Sequence, residues 1–268
     1  MTNVAYVLCM ELYIALSNYR PISLTCVASK IMERTIAKQI YEYLLTNNLL
    51  ATIQHGFIKG RSTCTNLLES MNDWTLYVQN KKCVTAAYID FIRASFDTVS
   101  HEKLFMRLLD YGIQGSLLQW LKNLFVDRTH RTRVGCCISD AADMISGIIQ
   151  GSGIGPVMFI IFVDDLAKLL ERHGIAAKLF ANDVKVYCEI SDAGDSVCFQ
   201  KALDIIANWA EEWQLSISVS KCNILTIGHT ATDDTTEYYN NDCQLPRVIS
   251  CRNPVSYTHL TLPTILRV

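Results

Sequence analysis

Two β-prone runs, Lys178–Ala181 and Val184–Cys188, are separated only by Asn182-Asp183. A link that short leaves them one geometry, an antiparallel hairpin, and both linking residues tolerate the left-handed backbone that a tight turn needs. Val84–Asp90 is a further β-prone segment behind a polar turn at Gln79–Lys82, and Ser216–Ile227 alternates like another strand. Three amphipathic stripes lie around them. Leu117, Leu118, Leu121, Leu124 and Phe125 follow Gly115-Ser116; Phe159, Phe162, Val163, Leu166 and Leu170 start at Gly155-Pro156 and stop at Gly174; Ala202, Leu203, Ile206, Trp209 and Trp213 form the third. Hairpins mixed with helices in this order predict an α+β chain rather than the regular βαβ alternation of a doubly wound sheet.

With 268 residues, half of them hydrophobic, the chain can bury a substantial core. Apolar stretches such as Gly153–Val163 fall well short of the roughly 20 residues needed to cross a bilayer, so no membrane partner is expected. Eleven cysteines are scattered without a Cys-x-x-Cys pair or zinc-type spacing, which points to a reducing, intracellular compartment, cytoplasmic or nuclear. The formal charge of −2 excludes nucleic-acid binding by bulk positive charge but leaves room for a local basic groove. Such charge is concentrated in two places: Lys30, Arg34, Lys38, Lys59 and Arg61 in one, Lys122, Arg128, Arg131 and Arg133 in the other. On charge alone each segment is equally well an ordinary solvated face.

Asp90 ends the run Ala86-Ala87-Tyr88-Ile89. A carboxylate at a strand's end can hold a metal at the lip of a sheet; it can also simply cap a turn. Asp183, expected at the tip of the hairpin, could share cations with Asp90 if the two strands are neighbours, because Mg²⁺ takes one or two carboxylates plus phosphate oxygens.

Several segments then occur in a telling order: Asn18-Tyr-Arg-Pro-Ile-Ser-Leu24, Gln54-His-Gly-Phe-Ile-Lys-Gly-Arg-Ser-Thr63, Tyr88-Ile-Asp-Phe91 with Ser95-Phe-Asp-Thr-Val99, Gln150-Gly-Ser152 with Gly155-Pro156, Phe180-Ala-Asn-Asp183, and Leu215–Lys221. The series resembles the reverse transcriptase domain of non-LTR (LINE-like) retrotransposons over roughly Asn18 to Arg252. The resemblance implies a right-hand polymerase fragment with the thumb missing. Fingers would come from 18–82 and 112–146, and a palm from 83–111 and 147–228, its small antiparallel sheet packed on helices. It implies an RNA-directed DNA polymerase that uses Mg²⁺ (or Mn²⁺), an RNA template, a DNA primer and deoxynucleoside triphosphates. The oligomeric state stays unknown. Carried onto this chain, Asp90 and Asp183 are the metal-binding aspartates and Asn182 stands at a third, degenerate metal position. Lys221 is a proton donor to pyrophosphate. Lys59, Arg61, Phe96, Gln150 and Gly151 face the nucleotide, and Arg20 faces the template.

Three departures from the family pattern bear on activity. Asn182 replaces the first hairpin aspartate, which keeps the turn chemistry and removes one negative charge. Ser95 is one residue more than the usual Asp-x-x-x-Ala-Phe-Asp spacing, and if it is not looped out it takes the place of the aromatic that closes on the ribose. At the ends, 1–17 lacks the family's basic lead-in, 229–254 begins a primer-grip region, and Val255–Thr264 resembles the translation of a sequencing-library adapter. An impaired reverse transcriptase and a catalytically dead relic that still binds nucleic acid are therefore both open on sequence; so, on its near-neutral charge, is an unrelated α/β domain.

Overall fold

A strand buried along nearly its whole length, as Cys83–Asp90 is, needs cover on both faces of its sheet. The computed structural model describes residues 2–9, 19–92, 96–134, 136–228 and 236–251. Two compact units emerge, one drawn from Met1–Leu50, Arg93–Phe162 and Trp213–Leu215, the other from Ala51–Ile92, Val163–Glu212 and Ser216–Val268.

In the first unit, β1 (Thr2–Cys9) pairs antiparallel with β2 (Tyr19–Leu24) and parallel with β4 (Thr129–Val134), while two short strands, β5 (Cys137–Ile138) and β6 (Ala142–Asp143), pair antiparallel with β4. Helices α1 (Val27–Thr46), α3 (His101–Asp110) and α4 (Gly115–Phe125) belong here too, with the first half of α5 (Gly155–Arg172). The apolar stripe of α4 places Leu118, Leu121 and Phe125 inward, as its spacing predicts. Pro156 sits in the first turn of α5, where its missing N–H costs nothing, and Ser152 Oγ accepts from Gly155 N at 2.9 Å. Strand β1 carries Val4, Tyr6 and Val7, residue types that favour a strand, although no element is assigned there on sequence.

One buried carboxyl side chain holds α1 to the loop before α5. Glu33 is fully buried; Oε2 accepts from the backbone N–H of Gly153 at 2.7 Å and Oε1 from Ser29 Oγ at 2.8 Å. Gly153 must be glycine for this docking, since a Cβ would lie 2.8 Å from Arg34 Cγ and 3.0 Å from the backbone of Lys30.

The second unit is built on a five-stranded sheet in the order β12-β9-β3-β8-β7, where β3 is Cys83–Asp90, β7 Ala177–Phe180, β8 Asp183–Ile190, β9 Asn223–Ile227 and β12 Arg247–Val248. All pairings are antiparallel except β12 with β9. On one face, Val84, Ala86, Tyr88, Tyr187, Leu225 and Ile227 pack around Trp74 of α2 (Thr63–Gln79). Helix α2 starts at a reciprocal capping box, Ser62 Oγ accepting from Thr65 N and Thr65 Oγ1 from Ser62 N. Helix α6 (Ala193–Glu212) buries Phe199, Leu203, Ile206 and Trp209 and begins well before the stripe that announced it. A small antiparallel ribbon pairs β10 (Tyr239–Asn240) with β11 (Cys243–Gln244).

Two expectations change. The turn residues of the β7–β8 hairpin are Ala181-Asn182, and Asp183 is the first ladder residue, opposite Phe180. Within Ser216–Ile227 only the last five residues are strand; Val219–Lys221 is a 3-10 turn, since 216–222 must bend around the end of β3. Ser95, Arg252 and the adapter-like tail lie outside the described residues.

A chain of polar side chains links residue 55 to α2 and the hairpin, with His55 buried and Glu69 exposed. His55 Nδ1 lies 2.9 Å from Thr65 Oγ1, its Nε2 3.4 Å from Glu69, and Glu69 takes the Lys178 ammonium at 2.6 Å. Burial lowers the His55 pKa below its ordinary 6.5 and outweighs the upward pull of Glu69. Because the folded value is the lower one, the unfolded chain binds the proton first on acidification. This stability is complete above pH 6.5 and is lost as pH falls through the folded value.

Two outcomes follow. Glu33→Leu orphans the Gly153 N–H and should lower unfolding stability by about 2 kcal/mol in urea titration, with Glu33→Gln losing less than half of that; equal losses would show that packing, not hydrogen bonding, matters there. Between pH 7.5 and 5.5 the wild-type urea midpoint should fall more than that of His55→Gln, and parallel pH profiles would remove His55 from the acid response.

Candidate active site

The register of β3 against β8 sets Asp90 directly opposite Asp183. Opposed residues of an antiparallel pair project from the same face with Cα atoms about 4.5–5.5 Å apart, so two carboxylates distant in sequence come together at one end of the sheet. Both residues are half-buried. Asn182, also half-buried, precedes Asp183 in the turn.

The turn is an unusual one for its sequence. Ala181 has φ of 56°, a left-handed conformation that costs an alanine roughly 1–2 kcal/mol. Gln54 meets that cost from a neighbouring segment. Its fully buried side chain accepts from Ala181 N at 3.0 Å and from Gly56 N at 2.7 Å through Oε1, and Nε2 lies 3.4 Å from Ala181 O. Each such bond contributes on the order of 1 kcal/mol net, enough in sum to offset the backbone penalty. The two segments touch closely: a Cβ on Gly56 would stand 2.1 Å from Ala181 N, so only glycine fits.

On the other flank, residues 216–222 wrap the end of β3. Ile92 N donates to Ser216 O and Ser218 N to Asp90 O, both at 2.8 Å, and Phe91 bridges Ile217. Cys222 Sγ lies 3.5 Å from Asp90 N and donates to Ser218 O at 3.3 Å. Burial pushes this thiol up to about 11, so it is a neutral hydrogen-bonding group and not a nucleophile. Lys221 precedes it and is exposed.

Behind the carboxylates on the same face comes the pair Tyr88 and Lys185. Lys185 is buried; its ammonium donates to Asn66 Oδ1 at 3.2 Å and lies 5.3 Å from the Trp74 ring centroid and 5.9 Å from that of Tyr88. Burial, with a smaller contribution from Lys178, pushes it down to about 7. Asn66 Nδ2 also donates to Leu179 O at 3.2 Å, tying α2 to β7.

The other predicted residues are placed as follows. In the second unit Lys59 is exposed, and Arg61 turns Nη1 onto the carbonyl oxygens of Thr52 and Gln54, the latter at 2.9 Å. In the first unit Phe96 stacks on Phe159 with centroids 3.9 Å apart, the Gln150 carbonyl accepts from Ser23 N at 2.9 Å, and Gly151 has φ of 89°, which calls for glycine. Arg20 lies in β2. The structure thus gathers Asp90, Asn182, Asp183 and Lys221 around the ends of β3 and β8. Among the described residues no group of three or more His, Cys, Asp or Glu is arranged to hold a metal, so the acidic site is a pair.

Sequence reasoning gave no role to Gln54, Asn66, Lys185 or Cys222. Gln54 stood in a quoted motif, yet nothing local announces that its amide reaches the turn at Ala181. Lys185 and Cys222 carry no signal beyond a polar residue inside a β-run.

A family model described as "Reverse transcriptase (RNA-dependent DNA polymerase)" matches residues 14–257. The RNA-directed DNA polymerase from mobile element jockey of Drosophila funebris is 26% identical over 224 residues, 81% of this chain and 24% of that protein. The probable RNA-directed DNA polymerase from transposon X-element of Drosophila melanogaster is 28% identical over 215 residues, 77% of this chain and 23% of that protein. The chain therefore spans about a quarter of the length of the curated relatives it matches. Among solved structures, apo telomerase from Candida Tropicalis truncated from its C-terminal domain shares the fold with a TM-score of 0.61 at 8% identity, covering 88% of this chain and 52% of that one. The hairpin, the carboxylate pair and the matched family model agree: this chain belongs to the reverse transcriptase family, as a reverse transcriptase domain of the LINE-like, non-LTR retrotransposon type.

Proposed function

We propose that this chain is the polymerising part of an RNA-directed DNA polymerase, extending a DNA primer on an RNA template with deoxynucleoside triphosphates in a reducing, intracellular setting. What supports the reading most is the register that opposes Asp90 and Asp183 at the end of β3 and β8. The donor set suits Mg²⁺ or Mn²⁺, which bind through one or two carboxylates and leave their other positions to substrate phosphates. Asp90 and Asp183 would hold the ions, and the Asn182 amide adds a neutral oxygen where a third charge would stand. Bound divalent ions supply charge neutralisation on the triphosphate and acidify the primer hydroxyl.

The rest falls to the protein. The primer 3′-oxygen forms a bond to the α-phosphorus as the bond to pyrophosphate breaks; the hydroxyl proton leaves to solvent, and exposed Lys221 protonates the departing pyrophosphate. Lys59 and Arg61 bind the triphosphate, Arg61 with the part of its guanidinium beyond Nη1. Phe96 abuts the sugar, Gln150 and Gly151 the base pair, and Arg20 the template. The segments Lys30–Arg61 and Lys122–Arg133 supply positive charge for nucleic-acid phosphates, which makes binding salt-sensitive.

Asn182 favours a second reading, a relic that binds nucleic acid without turnover, because the site holds two negative charges against a highly anionic substrate. Primer extension with Mg²⁺ separates the two. Asn182→Asp should raise incorporation by about 10²-fold or more, the size expected of one restored transition-state contact, while Asp183→Asn abolishes it. If Asn182→Asp stays inert but keeps salt-sensitive binding to an RNA–DNA duplex, the polymerase reading fails and the relic stands.

A further inference from the structure

We propose that Gln54 is a positioning residue for the carboxylate pair: its side-chain amide holds the backbone of Ala181 in the left-handed turn and so fixes where Asp183 stands opposite Asp90. The proposal rests on the reading of that pair as the metal site.

The central residues of a two-residue hairpin turn contribute no ladder bonds, so the N–H and C=O of Ala181 need partners from elsewhere once the residue is buried. Gln54 supplies both with one side chain, an acceptor for the N–H and a donor beside the carbonyl. It also accepts from its own neighbour Gly56, so the amide is bracketed between two segments and has no freedom to rotate away. The base it projects from is anchored at several points. Residues 53–55 run parallel to β7 through Leu179 N to Ile53 O at 2.9 Å and His55 N to Leu179 O at 2.8 Å. Ala51 N donates to buried Asp164 at 2.8 Å, Thr52 N and Oγ1 donate to Glu171, and Arg61 holds the carbonyls of Thr52 and Gln54.

The chain geometry makes this site matter. Asp183 is only two residues past Ala181, and the alanine is where the backbone departs from its ordinary conformation. If Ala181 relaxed to negative φ, the return path into β8 would change at its first ladder residue, which is the carboxylate. A slip of one residue would send Asp183 to the other face. Glycine at 181 would need no such support, and this chain has alanine there, so the hold must come from outside the turn.

The test uses the full chain with two readouts: amide hydrogen exchange across 179–185, and Mn²⁺ binding followed by electron paramagnetic resonance. Gln54→Met keeps the volume and removes every hydrogen bond. It should speed exchange of the Ala181 amide by about tenfold, the equivalent of one lost bond, and weaken Mn²⁺ binding by a similar factor. Adding Ala181→Gly should return the Mn²⁺ affinity to near the wild-type value, while the unfolding midpoint stays lowered because the Gly56 N–H still lacks its acceptor. A structural role alone would not produce that split. Wild-type Mn²⁺ binding that is unchanged in Gln54→Met, or not restored by Ala181→Gly, overturns the positioning role. A wild-type chain that binds no Mn²⁺, or binds it independently of Asp183, instead overturns the metal-site reading on which the proposal rests.

Discussion

The antiparallel ladder between β3 and β8 is the constraint from which the site follows. Its period is two, so every second residue shares a face, and the order Asp90, Tyr88, Ala86 against Asp183, Lys185, Tyr187 is all-or-none. Trp74 packs edge-on against Tyr187, with centroids 5.8 Å apart at 88°; a one-residue slip of β3 would turn Tyr88 and Ala86 away from it, and a slip of β8 would turn Tyr187 away. Hydrophobic burial of about 25 cal/mol per Å² over several large side chains makes such a slip far more costly than any single contact at the carboxylates could offset. The core thus sets the register, and the register sets the site. The acidic pair sits at the end of the ladder, beyond the rows that decide it.

Core packing cannot place the last residue of a strand by itself, because ends fray, and here polar groups take over. Each does so by satisfying a partner that would otherwise be buried without one. Gln54 holds the turn at Ala181, Asn66 joins Leu179 to Lys185, and Cys222 and Ser218 hold the backbone of Asp90. Lys185 is the most exacting of these, an amine caged by Trp74, Tyr88 and Asn66 whose burial pushes its pKa down to about 7. The same logic recurs in the first unit, where Glu33 fixes the loop that follows Gln150 and Gly151.

What the sequence revealed and what it hid divide along the range of the interactions. The hairpin was legible because its spacing admits one geometry, and helices α4 and α5 were legible because their stripes and end residues agree. The offset of one residue in the turn was not, because Asn182-Asp183 is the better local turn pair and Ala181 takes the left-handed position only with help from a distant amide. Ser216–Ile227 alternates like a strand, yet Ile92 and Asp90 capture the backbone of Ser216 and Ser218 and bend it. Asp90 and Asp183 could be named from the ordered motifs; that they face one another is a fact of register that no local pattern encodes.

Asn182 occupies the turn as a neutral side chain beside the two opposed carboxylates. The central claim is that two carboxylates suffice to define a cation site at the end of β3 and β8. Anomalous scattering from crystals of the chain soaked in Mn²⁺ and a deoxynucleoside triphosphate addresses it most directly. The account predicts a manganese peak coordinated by both Asp90 and Asp183. A fully occupied nucleotide with no peak touching either carboxylate would contradict it.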